Sequence, residues 1–510
     1  MIRFLNLDFL FVVIGSSGIP FYKRLGVELR RRGYSVCYVT GVRARSSYDL
    51  RDIRRGMSGD GFYFIDMAER IRKIRERGVD IDSEVRRIKR QYGIRSFRSI
   101  YFPEMAHTYN EDIKDDRRFV ELTVYTFIAA EALFKHNNVK CVIQYPGPEL
   151  LRRILYNVAR LNNILSVWMA WSPVPGCVLF YSNEMKVLDD VKGKDYSELS
   201  PKEIDEAENF VSRFRATKGR MVLHVEKKKR RQRLKSRYLG IIPKYGKLDL
   251  VLPRVYDCYD MSFLRGFLSF IRYFLLKRLK TLRKLFYYAL VYPSQEESKR
   301  LIREGNYLFF PLQYPRESRV TLRAPQFFRQ EKFVRLVAKS LPDGLKLYVK
   351  DHPGLVGELS YRTIRGISKT KNAVWLNPNI RAYDAIMNSL AVITINNTPG
   401  FEAIIYGKPV ITVGKASYGG YGVTTDVEDY SPENIRRCIL KAIERGVSDE
   451  KLIPFVSEML KASHPGSFYD TDEHNIAKMA DYIIDFIERH SGDFNKNPRI
   501  KKALSRVYIV

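Results

Sequence analysis

Two polar stretches in the second half of the chain hold the residue types that handle anions and hydroxyls. Lys350-Asp351-His352-Pro353 ends an apolar run, Leu345–Val349. A histidine there can donate to a phosphate or a hydroxyl, and the proline fixes the turn around it. Asn396–Gly414, NNTPGFEAIIYGKPVITVG, reads as strand end, tight turn, short helix from Phe401, second turn and second strand. At such a junction the first helical N–H groups lack partners inside the helix and can hold an anion. Asn397, Thr398 and the backbone N–H groups of Gly400 and Phe401 are candidates for a phosphate. Glu402, placed in the first helical turn, is a candidate for ribose hydroxyls. A third loop, 414–425 (GKASYGGYGVTT), follows the next strand and contributes Tyr418. A solvated turn and a satisfied surface histidine are the bland alternatives, but polar loops ending strands of one sheet favour a pocket.

The first half offers one comparable residue. Glu149 lies in PGPELLRRILYNVARLNN, at the start of a helix that follows a buried strand, Cys141–Tyr145. Catalytic groups of open α/β sheets sit at strand carboxyl ends, and a carboxylate there can deprotonate a hydroxyl. The alternative is a helix-start carboxylate favoured by the dipole. The five cysteines are scattered without a CxxC pair, and no DxD pattern ends a strand. Asp189-Asp190 reads as solvated helix, so no metal site is expected.

These residues need parallel strands to bring them to common edges. Phe9–Ile14, a Gly15–Gly18 loop, a helix over Phe21–Arg32 and Ser35–Thr40 form a βαβ opening. From Gly305 onward, apolar runs at Tyr307–Pro311, Leu345–Val349, Ala373–Leu376, Ala391–Ile395 and Val410–Val413 alternate with helical patterns. That alternation predicts a second parallel sheet. The expected organisation is a Rossmann-like domain over 1–185, a basic and mostly helical segment over 186–304, a second Rossmann-like domain over 305–490, and a basic tail over 491–510. His464-Pro465-Gly466 reads as a loop between helices.

The chain has 510 residues and a net charge of +31, from 88 basic and 57 acidic residues. Such a balance suits nucleic acid, an anionic membrane surface or anionic substrates. Zinc-finger, RNA-recognition and helix-turn-helix signals are missing, which argues against nucleic acid. Lys227–Arg231 (KKKRR) and an amphipathic pattern over Ser262–Leu290 suit an anionic lipid surface. A helix packed on the protein with a solvated basic side is the alternative. Asp8 interrupts the apolar N-terminal run, and no stretch has the roughly 18 apolar residues of a spanning helix. A cytoplasmic protein, peripheral on the inner face of the cell membrane, is the expectation.

Three segments together carry a family likeness. FFPLQYPRES (309–318), LKLYVKDHP (345–353) and NNTPGFEAIIYGKPVITVGKASY (396–418) resemble the bacterial capsule polysaccharide synthesis proteins, the Kdo-transferase-like glycosyltransferases of surface-carbohydrate export. PGPELLRRILYNVAR (146–160) and Pro175-Gly176 are similar more loosely. The resemblance implies a GT-B-like fold, two doubly wound Rossmann-type domains with the donor nucleotide on the second. It implies a cytidine monophosphate-linked sugar donor held by His352 and Pro353 with Lys350 beside them. The small-residue loop falls on Asn397, Thr398, Pro399 and Gly400, the glutamate on Glu402, and Tyr418 follows. The family often has serine at Asn396-Asn397, and PLHYQPE where this chain reads PLQYPRE. Gln313 thus replaces a histidine, while Glu317 matches the glutamate. The implied activity is sugar transfer from a nucleotide donor to a surface polysaccharide or glycolipid. Such a transfer needs a base for the acceptor hydroxyl, and Glu149 is the expected one, with Glu317 second; no metal or cofactor is expected. A nucleotide-sugar 2-epimerase and a non-catalytic binder of anionic polymer or membrane are the competing readings.

Overall fold

The structure, a computed structural model, describes residues 5–14, 18–41, 62–109, 116–183, 195–219, 279, 282–314, 317–353, 356–414 and 416–494. Lys227–Arg231, Asp189-Asp190, the basic tail from 495, and most of the Ser262–Leu290 pattern lie outside these residues.

The first sheet contains β1 (Leu5–Val12), β2 (Val36–Thr40), β3 (Tyr63–Asp66), β4 (Asn137–Gln144), β5 (Leu165–Trp171), β6 (Cys177–Tyr181) and β13 (His464–Pro465). Their spatial order is β13-β6-β5-β4-β1-β2-β3. β1 to β5 pair in parallel, and β6 runs antiparallel to β5. The second sheet contains β7 (Tyr307–Pro311), β8 (Lys346–Lys350), β9 (Ala373–Leu376), β10 (Ala391–Thr394), β11 (Val410–Val413) and β12 (Thr425–Val427). It is parallel throughout, in the order β12-β11-β10-β7-β8-β9. Both sheets therefore reverse their winding once, between β1 and β4 and between β7 and β10. That is the doubly wound order, whose ligands sit at the carboxyl ends of the strands flanking the reversal. The architecture is GT-B-like.

The apolar runs become strands because helices cover both faces of each sheet, so no strand needs a polar side. In β1, Leu7 and Leu10 face one core with Val142 and Ile154, while Phe9 and Phe11 face another with Phe21 and Leu25. Leu308 and Phe310 of β7 likewise point opposite to Tyr307 and Phe309.

The two halves are laced together near the end of the chain. His464-Pro465, read from sequence as a loop, is β13: it pairs antiparallel with Cys177 and Val178 of β6. The extended backbone there completes an edge that β6 would otherwise leave open. Just before it, Ser172 and Ser463 share a hydrogen bond of 2.6 Å. Just after it, Phe468 packs edge-on against Tyr145, Trp171 and Phe21. The last helix, Glu473–Phe494, lies against the Ile19–Arg31 helix of the first domain, where Arg32 bonds Asp481 and the Ala477 carbonyl. Ile476, Met479, Ala480 and Ile483 fill the core beneath β1 and β5. The helix Pro201–Ala216 goes the other way, with Phe210 and Phe214 buried beside Phe401 and Tyr406 of the second domain. Among the described residues no helix is long and apolar enough to cross a membrane.

Candidate functional site

The second sheet gathers the expected loops in spatial order. Adjacent strands β8, β7, β10 and β11 end respectively at Lys350–Pro353, Leu312–Glu317, Ile395–Gly400 and Gly414–Tyr418. The winding reversal falls between β7 and β10, and Gln313 bridges it. Its side-chain amide donates to the Asn396 carbonyl at 2.8 Å and to Glu317 Oε2 at 3.1 Å. Its Oε1 accepts from Asn396 N–H at 3.2 Å. Gln330 clamps the backbone of Gln313 from behind, at 2.8 and 2.7 Å. The glutamine that stands where the family has histidine thus ties two strand ends together and fixes Glu317. Both amide ends are needed for this, and neither carries a charge that varies with pH.

His352 and Pro353 are exposed at the end of β8, while Lys350 and Asp351 are buried beneath them. Burial pulls the Lys350 ammonium down to about 8 and pushes the Asp351 carboxyl up to about 6. Asp351 accepts from Tyr292 Oη at 2.9 Å and from the His352 N–H at 2.7 Å, so it orients the histidine backbone. The His352 ring is held below its ordinary pKa, first by desolvation and then by Lys350, with nearby Glu317 opposing. A ring so placed is neutral near pH 7 and offers one N–H donor and one acceptor. Glu317 itself is half-exposed, bonded to Gln313 and 3.6 Å from Arg319. His352 and Glu317 thus stand at the ends of adjacent strands, β8 and β7, close enough for the carboxylate to act on the ring's charge.

The Asn396–Gly400 turn is more closed than its sequence suggests. Its helix begins at Thr398, not at Phe401, because Asn397 is the N-cap: its Oδ1 accepts from Gly400 N–H at 3.0 Å. Glu402 consequently sits in the second turn, not the first. The Asn397 amide donates to the Pro311 carbonyl at 2.8 Å. Asn397 and the Gly400 N–H, expected to meet phosphate, are thus engaged within the protein. Tyr418 is buried beneath the turn and donates to the Asn397 carbonyl at 2.9 Å. A Cβ on Gly400 would collide with Tyr418 Oη and lie 2.7 Å from Thr394 Cγ2, so only glycine fits. Tyr418 and Gly400 shape the loop from below. Half-buried Thr398 and Glu402 stay open to a ligand, with Pro399 between them. Burial alone raises the Glu402 carboxyl to about 7.

Glu149 lies at the reversal of the first sheet, after β4. It is the N-cap of the Leu150–Leu161 helix, yet its side chain does not cap. Glu104, from the helix Arg98–Tyr109, takes that place and accepts from Leu150 N–H at 2.6 Å. The Glu149 carboxylate instead accepts from Arg152 Nε at 2.9 Å, with both side chains nearly buried. Arg152 also faces the buried Tyr22 phenol, whose pKa burial raises. Glu104, not Glu149, thus supplies the capping bond, and Glu149 is a helix-start carboxylate oriented by a cation. Arg152 was readable in principle, three residues on along the helix; Glu104, forty-six residues upstream, left no signal. Among the described residues no group of three or more His, Cys, Asp or Glu is arranged for a metal ion.

Residues 271–441 match the family model described as capsule polysaccharide biosynthesis protein. Over 116 residues the chain is 33% identical to Protein FixF of Sinorhizobium fredii, covering 22% of this chain and 27% of that one. The match thus spans about a quarter of that relative's length. Among solved structures, the Thermosulfurimonas dismutans KpsC beta Kdo 2,4 transferase is 14% identical, with 70% of this chain and 93% of that one covered and a TM-score of 0.35. The beta Kdo 2,7 transferase of the same organism is 12% identical, with 76% and 97% covered and a TM-score of 0.35. A putative UDP-N-acetylglucosamine 2-epimerase from Listeria monocytogenes is 11% identical, with 96% and 97% covered and a TM-score of 0.28. Residues 271–441 are thus similar to the capsule polysaccharide biosynthesis proteins, the family that the three strand-end motifs resemble.

Proposed function

We propose that the protein is a glycosyltransferase that moves a sugar from a nucleotide-activated donor to a surface polysaccharide or glycolipid acceptor. The observation that carries this reading is that the ends of four adjacent strands, β8, β7, β10 and β11, bring His352, Glu317, Thr398 and Glu402 to one edge at the winding reversal of the second sheet. A nucleotide sugar there meets a neutral imidazole N–H, the Thr398 hydroxyl and the Glu402 carboxyl. The first two can stabilise the leaving phosphate, and the third can accept from ribose hydroxyls. A cytidine monophosphate-linked donor is the specific expectation, taken from the family likeness. Glu149, oriented by Arg152, is the proposed base that takes the acceptor hydroxyl's proton, and Glu317 is the second candidate. Neither role asks for a metal. The acceptor places the enzyme on the cytoplasmic face of the membrane.

A thermal-shift panel of CMP, CDP, UDP and GDP tests the donor site. One of them is expected to raise the unfolding midpoint, CMP most, and His352→Ala to weaken that nucleotide by roughly tenfold, the worth of one lost hydrogen bond to a charged group. No shift with any nucleotide would remove the transferase reading. Conversion of the donor to its 2-epimer without an acceptor would replace it with the epimerase one.

A further inference from the structure

Of the eleven large hydrophobic side chains that lie exposed among the described residues, five fall between 279 and 290: Leu279, Leu282, Leu285, Phe286 and Leu290. Residues 282–290 are helical. On this helix Leu282, Leu285, Phe286 and Leu290 span an arc of about 140°. Leu290 is 71% exposed and Leu282 and Leu285 are each 62% exposed, so the arc faces outward rather than inward.

The helix is anchored along one flank of this arc. Tyr287 is fully buried, and its hydroxyl donates to the Leu359 carbonyl at 3.1 Å, joined there by Arg283 at 3.4 Å. Tyr292, just beyond the helix, holds Asp351 under His352. Tyr361, 55% exposed, follows the Leu359 anchor closely in the chain. The helix is thus mounted on the loop that leaves the candidate donor pocket.

The surrounding sequence has a one-sided charge. From Met261 to Ser294 there is no acidic residue, against seven basic ones: Arg265, Arg272, Lys277, Arg278, Lys280, Arg283 and Lys284. Nucleic acid would use the charge but has no need of exposed leucines. An apolar arc flanked by cations is the pattern of a helix that lies in the headgroup boundary of an anionic bilayer.

We propose that the exposed face of the 282–290 helix is a docking surface for an anionic phospholipid bilayer, with Leu282, Leu285, Phe286 and Leu290 entering the acyl boundary and the lysines and arginines of the surrounding sequence meeting lipid phosphates. This deepens the membrane-side reading above by naming the surface, and it carries the donor pocket to the lipid.

The test is flotation with vesicles of phosphatidylglycerol and phosphatidylcholine against vesicles of phosphatidylcholine alone. The intact chain floats with the first and not the second. Replacing Leu282, Leu285, Phe286 and Leu290 together by Gln lowers the bound fraction at least about tenfold, because most of the inserted apolar area is gone. The unfolding midpoint and the lipid-free nucleotide shift stay unchanged, which separates failure of this surface from failure of the donor site. The proposal is overturned if the intact chain does not float, floats equally on both vesicles, or floats undiminished after the fourfold change. It is also overturned if light scattering shows a dimer that the fourfold change dissolves while flotation persists. A Phe286→Trp variant gives an independent reading. Its emission moves to the blue on adding anionic vesicles and is quenched by brominated acyl chains. Emission already blue and indifferent to lipid means that the chain's own segment, not a bilayer, covers this face.

Discussion

Glu402 is the residue whose environment departs furthest from what its position implies. A carboxyl raised to about 7 by burial, with no cation among the causes, is ionised in the unfolded chain well before it is ionised in the folded one. Its contribution to stability is therefore fully present below pH 4.5 and is lost as pH rises through 7. Glu402→Gln removes the loss. The variant is expected to unfold at the same temperature as the parent near pH 4 and to gain at most about 3 kcal/mol by pH 8. Nucleotide affinity should fall at the same time, because glutamine presents one carboxylate oxygen fewer to the ribose. A residue that is only structural would not show stability and affinity moving in opposite directions; parallel unfolding curves across this pH range would count against the buried-carboxyl account. Sequence made Glu402 visible as a carboxylate near a turn, but not its register. That register depends on Asn397 spending its side chain on Gly400, a choice between two equally polar neighbours, Asn396 and Asn397, that only the packing of Pro311 and Tyr418 decides.

At the scale of elements, the turn after β10 works as one piece. Thr394, Asn397, Gly400 and Tyr418 come from three successive segments and lock in a space that admits no extra methyl. Gly400→Ala forces the Tyr418 hydroxyl aside and should cost about 1–3 kcal/mol, typical of an overpacked core. Adding Tyr418→Phe returns part of that loss, since it removes the nearest clashing atom; strictly additive losses in denaturant melts would show that the two residues do not share this space. The strands were legible in sequence because each is an unbroken apolar run with turn residues at both ends, as in Tyr307–Pro311 and Val410–Val413. The strand-end loops were legible for the same reason, since parallel alternation sends them to one edge. Long-range partners were not. Nothing near Leu150 announces that Glu104 will cap its helix, and nothing in His464-Pro465 announces a strand, because two residues carry no period and the partner edge lies nearly three hundred residues away.

For the whole molecule, the decisive feature is that the chain returns to its beginning. The first domain's core beneath β1 and β5 is completed by Phe468, Ile476, Met479, Ala480 and Ile483. Ending the chain after Ala462 would uncover that face along with Tyr145 and Trp171, and would also remove β13 from the sheet edge. Such a truncation is expected to lose the cooperative unfolding of the first domain, seen as early amide exchange throughout β1, β4 and β5, while the second sheet keeps its protection. Equal protection in both sheets would mean that the first core closes without its last helix. Phe102 of the first domain also packs edge-on against Phe328 of the second at 5.6 Å, so the halves meet through aromatic rings as well as through the shared chain.

The same return has a consequence in time. On the ribosome, β1 to β5 emerge about three hundred residues before the helix that covers them, and at ordinary synthesis rates that is an interval of tens of seconds. Throughout it, Phe9, Phe11, Val167 and Met169 have one wall of their core missing. The first half of this protein is therefore made early and finished last. Its demand for chaperones should track how far translation has run, and a pause in the second half prolongs that demand more than a pause in the first.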